Sequence, residues 1–302
     1  MTTPSSLLSS NYILPTNHAD GTRTALVAAP PRRLGQSMLW SLHLPDGLAQ
    51  EGVSGRFFLA RCGAITDEER AEEWSIYRRR PLYAAFQQSV NEPPGMARWD
   101  FLFPAVGEGD TAVAGGADPG YRWLAGLPVG TPVNLLGPFG QGYTLEATSR
   151  NLLLMGDTTT VPLVLGLGEQ MLDRGGRVTL LLHLAQTNAS APQSIGAIVD
   201  QLPIAFEVRT ATTNVQWQEQ LAETIRWADQ IAVALPAHEL PALRNAVAQN
   251  RFRVETGFVQ ALIQADLLCG VGSCLACVVP TAAGGYTRAC IHGPVFDLTT
   301  LV

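Results

Sequence analysis

Four of the five cysteines in this 302-residue chain lie within 22 residues near its C-terminus. They follow the spacing C-x4-C-x2-C-x12-C and are Cys269, Cys274, Cys277 and Cys290. The C-x4-C-x2-C run is the plant-type spacing, in which thiolates bind a [2Fe–2S] cluster. Gly270 and Gly272 lie inside the first interval, and glycine reaches the unusual backbone angles that a loop around a cluster needs. The spacing therefore predicts a [2Fe–2S] cluster.

Zinc binding and disulfide formation are the two alternative uses of these cysteines. Zinc is the main alternative, but structural zinc sites usually pair two close cysteines with another close pair, and here Cys290 stands alone. A disulfide framework is less favoured, because such frameworks belong to short secreted chains. Cys62, the fifth cysteine, lies in an apparent strand over 57–62 and is expected to be a small buried residue.

Composition describes an ordinary globular chain with 46% hydrophobic and 15% charged residues. A net charge of −6 argues against a nucleic-acid partner. There is no lysine, which excludes a Schiff-base lysine and a P-loop lysine. No window approaches the roughly 18 apolar residues of a membrane helix, and the N-terminus does not resemble a signal peptide. Thiolate ligands without an export signal predict a cytoplasmic location.

Changes in sequence pattern divide the chain into four segments. Short apolar runs punctuated by glycine and proline predict an antiparallel β-barrel, whose clearest runs are 24–29, 38–44, 55–61, 99–104 and 132–136. The predicted segments are a polar leader (1–22), the barrel (23–148), an α/β domain (149–256) and a cysteine module (257–302). Within the barrel, a charged stretch at 66–80 is predicted to be partly helical. A stretch at 107–120 is predicted to be a surface loop.

Strand and helix patterns alternate after residue 150. The run 152–155 is apolar throughout, as in a buried parallel strand, and a helix is predicted from Pro162 to about residue 173. Alternation of this kind predicts a doubly wound parallel sheet. The remaining predicted strands are 178–183, 204–209 and 230–235, and the remaining predicted helices are 216–227 and 239–249.

The order of barrel, nucleotide-type domain and cysteine cluster, together with several motifs, is similar to one known family. The cluster loop CGVGSCLACVV (269–279) and the following GPVFD (293–297) resemble the electron-transfer subunit of dihydroorotate dehydrogenase, an iron–sulfur branch of the ferredoxin-reductase superfamily. The similarity spans about 25–298 and includes RPL (80–82), GYRWL (120–124) and LGPFGQGY (136–143).

This resemblance implies that the barrel binds FAD, that the α/β domain binds NAD(H), and that the cluster relays electrons to a flavoprotein dehydrogenase subunit. It also implies a hetero-oligomer that serves pyrimidine biosynthesis. Arg80 would contact the FAD diphosphate, since a guanidinium grips phosphate oxygens bidentately, while Pro81 and Leu82 would line the isoalloxazine. The full set of implied cofactor contacts is Arg80, Pro81, Leu82, Gly120, Tyr121, Gly137, Gly140, Gly142, Gly156 and Thr158. Turn glycines and a solvated strand end are the simpler interpretations of several of these residues.

Two segments depart from the family pattern at the nicotinamide site. The family's glycine-rich phosphate loop reads Gly156-Asp-Thr-Thr-Thr-Val-Pro162, which keeps the first glycine and the proline. The family's Cys-Gly-Pro after the last strand reads Ala234-Leu235-Pro236. An aspartate beside a diphosphate is repulsive, so weak or absent nucleotide binding is predicted. Threonine hydroxyls could still donate hydrogen bonds, and NAD(H) use stays open.

Three functional hypotheses follow from these residues. The leading one is an electron-transfer subunit with FAD and a [2Fe–2S] cluster that serves a dihydroorotate dehydrogenase-like partner. The second is a small subunit of another NAD(P)H-linked complex, of hydrogenase or ferredoxin:NADP oxidoreductase type. The third is a cluster-bearing scaffold without catalysis of its own.

Overall fold

The computed structural model describes residues 14–34, 37–45, 53–63, 76–89, 95–106, 118–184, 202 and 204–301. Three parts of the predicted segments lie outside the described residues: 1–13 of the polar leader, 66–75 of the charged stretch and 107–117 of the predicted loop. Among the helices that are described, none is long and apolar enough to cross a membrane.

The first sheet is a closed antiparallel barrel. Its strand order is β1-β2-β3-β6-β5-β4-β7, and pairing of β2 with β7 joins the last six strands into a ring. Trp40, Phe58, Trp99 and Phe101 are fully buried and fill its interior. The strands are β1 (Thr16–Asn17), β2 (Thr22–Leu34), β3 (Ser37–Pro45), β4 (Phe57–Ala60), β5 (Arg80–Ser89), β6 (Met96–Pro104) and β7 (Pro132–Phe139). The predicted barrel is confirmed.

Two details of the barrel differ from the sequence prediction. Strand β5 continues to Ser89, well beyond the motif at 80–82. The end of the predicted surface loop is instead the start of helix α1 (Pro119–Ala125), because the Asp118 side chain accepts hydrogen bonds from the backbone N–H groups of Gly120 and Tyr121. Pro119 occupies the first helical position, where its missing N–H costs nothing.

The second sheet is the predicted parallel α/β sheet with one antiparallel edge strand. Its order is β10-β9-β8-β11-β12-β15, and the pairs from β10 to β12 are parallel. The central strand β8 (Asn151–Asp157) is apolar and buried along residues 152–155, as expected for a strand covered on both faces. The other strands are β9 (Arg177–His183), β10 (Phe206–Ala211), β11 (Gln230–Ala234), β12 (Val259–Leu262) and β15 (Val295–Asp297).

The helices of this domain also agree with the predicted pattern. They are α2 (Pro162–Asp173), α3 (Asn214–Trp227) and α4 (Leu240–Asn250). The Thr213 side chain caps α3 by accepting from the Gln216 backbone N–H at 3.2 Å. Gly175, with φ of +73°, follows the end of α2, where a left-handed residue is commonly needed.

The cysteine region is built into the edge of the α/β sheet. Beyond residue 257, β12 and the antiparallel β15 extend that sheet, while β13 (Val278–Pro280) and β14 (Tyr286–Arg288) form a separate hairpin. The short helix α5 (Ala289–His292) carries Cys290. The domain boundary at 256/257 stays a proposal, since strands on both sides of it share one sheet.

Candidate redox site

Unusual backbone conformations shape the loop that carries three of the cysteines. Gly270 and Gly272 have φ of +72° and +73°, values that side chains rarely tolerate. Leu275 also has positive φ, at 59°, one residue after Cys274. Arg288 of β14 braces the loop by donating to the Gly272 carbonyl oxygen at 3.1 Å. The loop is therefore coiled tightly against the β13–β14 hairpin.

The four cysteines form two neighbouring pairs. Burial acts to raise the pKa of Cys269. The hydrogen bonds that its Sγ accepts, led by those from the backbone N–H groups of Cys274 and Val271, together outweigh burial and lower this pKa to about 6. In the second pair, the Cys290 backbone N–H donates to Cys277 Sγ at 3.4 Å. Burial, followed by the neighbouring Cys277, raises the pKa of Cys290 to about 12. One pair is thus near the surface and the other is buried.

The donor set of this region fits an iron–sulfur cluster. Four cysteine thiolates hold a [2Fe–2S] cluster. The fold brings Cys290 next to Cys277, and Cys269 lies close enough to influence the pKa of Cys290. The ligand assignment stays a prediction that this geometry supports.

A pocket of about 900 Å³ lies between the barrel, the loop after β8 and the segment that leads into the cysteines. Strand β5 lines it with Arg80, Pro81 and Tyr83. The opposite wall is formed by residues 263–268 and by Ala276, which neighbours Cys277 in sequence. One space thus connects the motif expected to hold a flavin with the loop expected to hold a cluster.

Arg80 is buried at the edge of this pocket and is held by Asp118. Its Nε donates to both carboxylate oxygens of Asp118, at 2.8 and 2.9 Å, and its guanidinium also donates to the Arg78 carbonyl oxygen. A Cβ at Gly120 would lie 2.8 Å from the Arg80 guanidinium, so a side chain there would displace it. A cation and the N–H groups at the start of α1 therefore converge on one position, where the Asp118 carboxylate now sits.

Two buried tyrosines occupy positions where the family motifs have serine and threonine. The Tyr83 hydroxyl donates to the Ala265 carbonyl oxygen at 3.3 Å and accepts from the Ala265 N–H at 3.1 Å. The Tyr121 ring stacks on Phe103 with ring centroids 5.4 Å apart, and its hydroxyl donates to the Pro81 carbonyl oxygen at 2.9 Å. Burial raises the pKa of each phenol well above its ordinary value. Both hydroxyls are therefore neutral and carry hydrogen bonds.

Other predicted flavin contacts lie away from the pocket. The Leu82 side chain is fully buried in the barrel core, on the opposite face of β5 from Pro81 and Tyr83. Gly137 lies where β7 passes close to β4, since a Cβ there would be 3.1 Å from the Phe57 carbonyl oxygen. Residues absent from the pocket walls are Leu82, Gly120, Gly137, Gly140, Gly142, Gly156 and Thr158. Arg80, Pro81 and Tyr121 are the predicted flavin contacts that line it.

Asp157 holds the loop after β8 together by accepting hydrogen bonds from other residues of the same loop. Asp157 Oδ1 accepts from the backbone N–H groups of Thr159 and Thr160, both at 2.8 Å, and from the Thr160 hydroxyl at 2.9 Å. That hydroxyl has a single proton, which it shares between Asp157 Oδ1 and the carbonyl oxygen of Ala234 at the end of β11. A Cβ at Gly156 would lie 2.9 Å from Val161 Cα, so close packing requires this glycine. The N–H groups that could meet a diphosphate are already bonded inside the loop.

Sequence reasoning missed three residues that shape the pocket: Tyr83, Asp118 and Ala265. Tyr83 had a signal, because a bulky phenol stands where the family motif has serine. Asp118 precedes a proline and a glycine, the pattern of a helix start, and could have been found as a cap. Ala265 carried no signal, since its role depends on a contact with a residue 182 positions away.

Comparison with known proteins agrees with this architecture. Residues 265–302 match the family described as the iron–sulfur cluster binding domain of dihydroorotate dehydrogenase B. The electron transfer subunit of dihydroorotate dehydrogenase B (NAD(+)) from Shouchella clausii is 32% identical over 199 residues, which cover 63% of this chain and 71% of that protein. The corresponding subunit from Desulforamulus reducens is 27% identical over 264 residues, 83% of this chain and 87% of that one.

Solved structures show the same fold at low sequence identity. A chain of the NADH-dependent reduced ferredoxin-NADP oxidoreductase, described for flavin-based electron bifurcation, superposes with a TM-score of 0.64 at 17% identity, covering 92% of this chain and 89% of that one. Phthalate dioxygenase reductase superposes with a TM-score of 0.51 at 11% identity, covering 91% and 78%. The 32% identity to the Shouchella clausii subunit over 71% of its length, together with the family match over 265–302, shows that the chain belongs to the family of dihydroorotate dehydrogenase B electron transfer subunits.

Proposed function

We propose that this chain is an electron-transfer subunit that carries FAD and a [2Fe–2S] cluster and exchanges electrons with a partner flavoprotein dehydrogenase of the dihydroorotate dehydrogenase B type. The cluster ligands would be Cys269, Cys274, Cys277 and Cys290. When bound, the flavin supplies one- and two-electron chemistry and the cluster supplies one-electron chemistry. The protein's task is to hold both groups at a fixed separation.

The pocket shared by β5 and the cysteine region is the observation that carries this proposal. Leu268 and Ala276 line it, and each is the sequence neighbour of a cysteine, Cys269 and Cys277 respectively. A group bound against Pro81 and across this pocket therefore lies beside the cysteine loop. Apolar and aromatic side chains form much of the pocket wall, as is usual for a cofactor site.

The phosphate end of the pocket supports a dinucleotide flavin but sets a condition on its binding. Arg80 presents a positive charge at this end of the pocket, which suits a diphosphate. The Asp118 carboxylate already bonds to Arg80 there. A diphosphate would therefore compete with Asp118 for Arg80. The affinity for FAD would depend on the free energy needed to break the Arg80–Asp118 ion pair.

The surface around the cysteine loop supports a protein partner. Large apolar side chains surround it with exposures of 46% to 78%: Leu268, Val271, Leu275 and Tyr286. A contiguous apolar patch is uncommon on a monomer surface unless it binds something. Cys274 itself is exposed within this rim. A partner that covers the rim would bring its own redox group next to the cluster.

A cytoplasmic location is proposed with this function. Thiolate ligands of an iron–sulfur cluster need a reducing compartment, where disulfides do not compete for them.

The test is anaerobic purification of the full chain from a host that assembles iron–sulfur clusters. We expect this protein to contain about two irons and two acid-labile sulfides per chain and bound FAD. In a second experiment, the chain purified from its native source should bring a flavoprotein dehydrogenase with it. Zinc without labile sulfide would contradict the cluster, and protein that takes up no flavin on reconstitution would contradict the barrel assignment.

A second candidate is a relay or scaffold whose α/β domain takes no part in nicotinamide chemistry. The closed Asp157 loop favours it, because the N–H donors of Thr159 and Thr160 are used internally. The relatives are named for NAD(+), so reduction of this chain by NADH is the property that distinguishes the two candidates. Protein with full FAD and cluster content that NADH does not reduce would favour the relay, and rapid reduction would favour a nicotinamide-linked enzyme.

A further inference from the structure

Tyr83 links the barrel to the segment that leads into the cysteine loop. It lies on β5 beside Pro81 and pairs with Phe57 of β4, so its backbone belongs to the barrel ring. Its hydroxyl makes both a donor and an acceptor bond with the backbone of Ala265, across the pocket. Ala265 precedes Cys269 by four residues. The Tyr83 side chain thus connects β5, which carries the predicted flavin motif, to the segment that precedes Cys269.

The segment held by Tyr83 has limited support of its own. Residues 263–268 follow the end of β12 and lie outside any helix or strand. At its start, the Ile263 N–H donates to the Pro294 carbonyl oxygen at 2.8 Å, and Leu267 is fully buried near its end. Between them, Ala265 has its backbone N–H and carbonyl oxygen bonded to the same hydroxyl. The Tyr83 phenol also lies within electrostatic range of Asp266 and Cys277.

We propose that Tyr83 is a positioning residue that fixes the separation between the flavin pocket and the cluster by holding Ala265. The inference rests on the proposed function, because it takes the pocket and the cysteine loop as the places of the two redox groups. A serine, as in the family motif, is too short to cross the pocket to Ala265, so this clamp is a property of the tyrosine in this chain.

The chemistry of the phenol suits a clamp. A neutral hydroxyl donates one hydrogen bond and accepts others, so it can satisfy a backbone carbonyl and a backbone N–H together. Because burial keeps the phenol protonated over the ordinary pH range, the donor bond to Ala265 is retained. Phenylalanine has the same ring and lacks only the hydroxyl, so Tyr83→Phe removes the clamp and leaves the packing of β5 in place.

The first measurement is hydrogen–deuterium exchange of the peptide that covers 263–268 in the full chain. In the wild-type protein the Ala265 amide hydrogen is bonded to Tyr83 and should be protected. Tyr83→Phe should speed its exchange about tenfold, equivalent to about 1.4 kcal/mol of local opening free energy. Tyr121→Phe is the matched control, since it removes a buried hydroxyl from the same pocket whose bond, to Pro81, stays inside the barrel.

The second measurement separates positioning from local structure. With equal FAD and iron content in both proteins, flavin-to-cluster electron transfer after flash reduction should be slower in Tyr83→Phe than in the wild-type protein. Unchanged exchange over 263–268, or faster exchange with unchanged electron transfer, would overturn the proposal. Wild-type protein without flavin or labile sulfide would count against the proposed function instead, and the exchange data would still decide whether Tyr83 holds Ala265.

Discussion

Replacing Asp157 with asparagine removes one negative charge from the loop between β8 and α2 and keeps an oxygen that can accept the loop's hydrogen bonds. In the structure, Asp157 Oδ1 accepts from the N–H groups of Thr159 and Thr160 and from the Thr160 hydroxyl. Asp157→Asn therefore isolates the effect of charge. Asp157→Gly removes the charge and also frees both N–H donors, restoring a glycine of the family's phosphate loop.

The expected sizes follow from electrostatics and hydrogen bonding. A carboxylate 4 Å from a phosphate charge costs about 4 kcal/mol at an effective dielectric near 20, and about 2 kcal/mol at 8 Å. The N-terminus of α2 offers only about 0.3–1 kcal/mol in return. Repulsion therefore wins, and Asp157→Asn should improve NADH affinity at least about tenfold, which is about 1.4 kcal/mol. Asp157→Gly should bind NADH more tightly still. Its free energy of unfolding should fall by about 1–2 kcal/mol, because the loop loses the hydrogen bonds that Asp157 accepts.

The assay is anaerobic titration of flavin-loaded protein with NADH and NADPH, following flavin and cluster absorbance. Calorimetry with NAD(+) reports binding without reduction, and urea unfolding checks stability. We expect slow or no reduction of the wild-type protein and progressive gains in Asp157→Asn and Asp157→Gly. Rapid stoichiometric reduction of the wild type at micromolar NADH, with no gain in either variant, would refute the electrostatic reasoning.

The remaining predictions concern the cluster and the flavin. Cys274→Ser should abolish labile sulfide and the visible cluster spectrum, whereas Cys62→Ser, at a fully buried position in the barrel, should leave the iron content unchanged; iron retained in the first variant would remove Cys274 from the ligand set. Asp118→Asn should strengthen FAD binding by freeing Arg80, measured by fluorescence titration of apoprotein, and weaker binding would show that Asp118 orients Arg80 instead. Arg80→Ala should weaken FAD binding by about 1.5–3 kcal/mol, the range of a charge-assisted hydrogen bond, and unchanged affinity would place the diphosphate elsewhere.

The repeating patterns of the sequence were enough to predict the fold class. The apolar run 152–155 fits a strand covered on both faces, and Pro162 marks the start of the helix that follows it. Short runs punctuated by glycine and proline likewise predicted the barrel. These features are local, so neighbouring residues alone determine them.

The cysteine spacing indicated a cluster for a similar reason. Ligands close in sequence must be close in space, and Gly270 and Gly272 marked the left-handed backbone that such a loop needs. What sequence could not decide was the pairing of the cysteines or the attachment of their module. That β15 completes the edge of the α/β sheet depends on contacts between distant strands.

Tertiary structure decided how the side chains are arranged in the two loops that are expected to face a phosphate. Sequence showed a negative charge at Asp157, but whether its carboxylate faced a ligand or turned inward depended on hydrogen-bond geometry. It turned inward, and Asp118 did the same while also pairing with Arg80. The Tyr83 contact with Ala265 could not be inferred from neighbouring residues, because the two residues are 182 positions apart in the sequence. The sequence determined which residue types were present, and the fold determined which of their polar groups were already satisfied, because a buried donor must find its partner wherever the chain brings one.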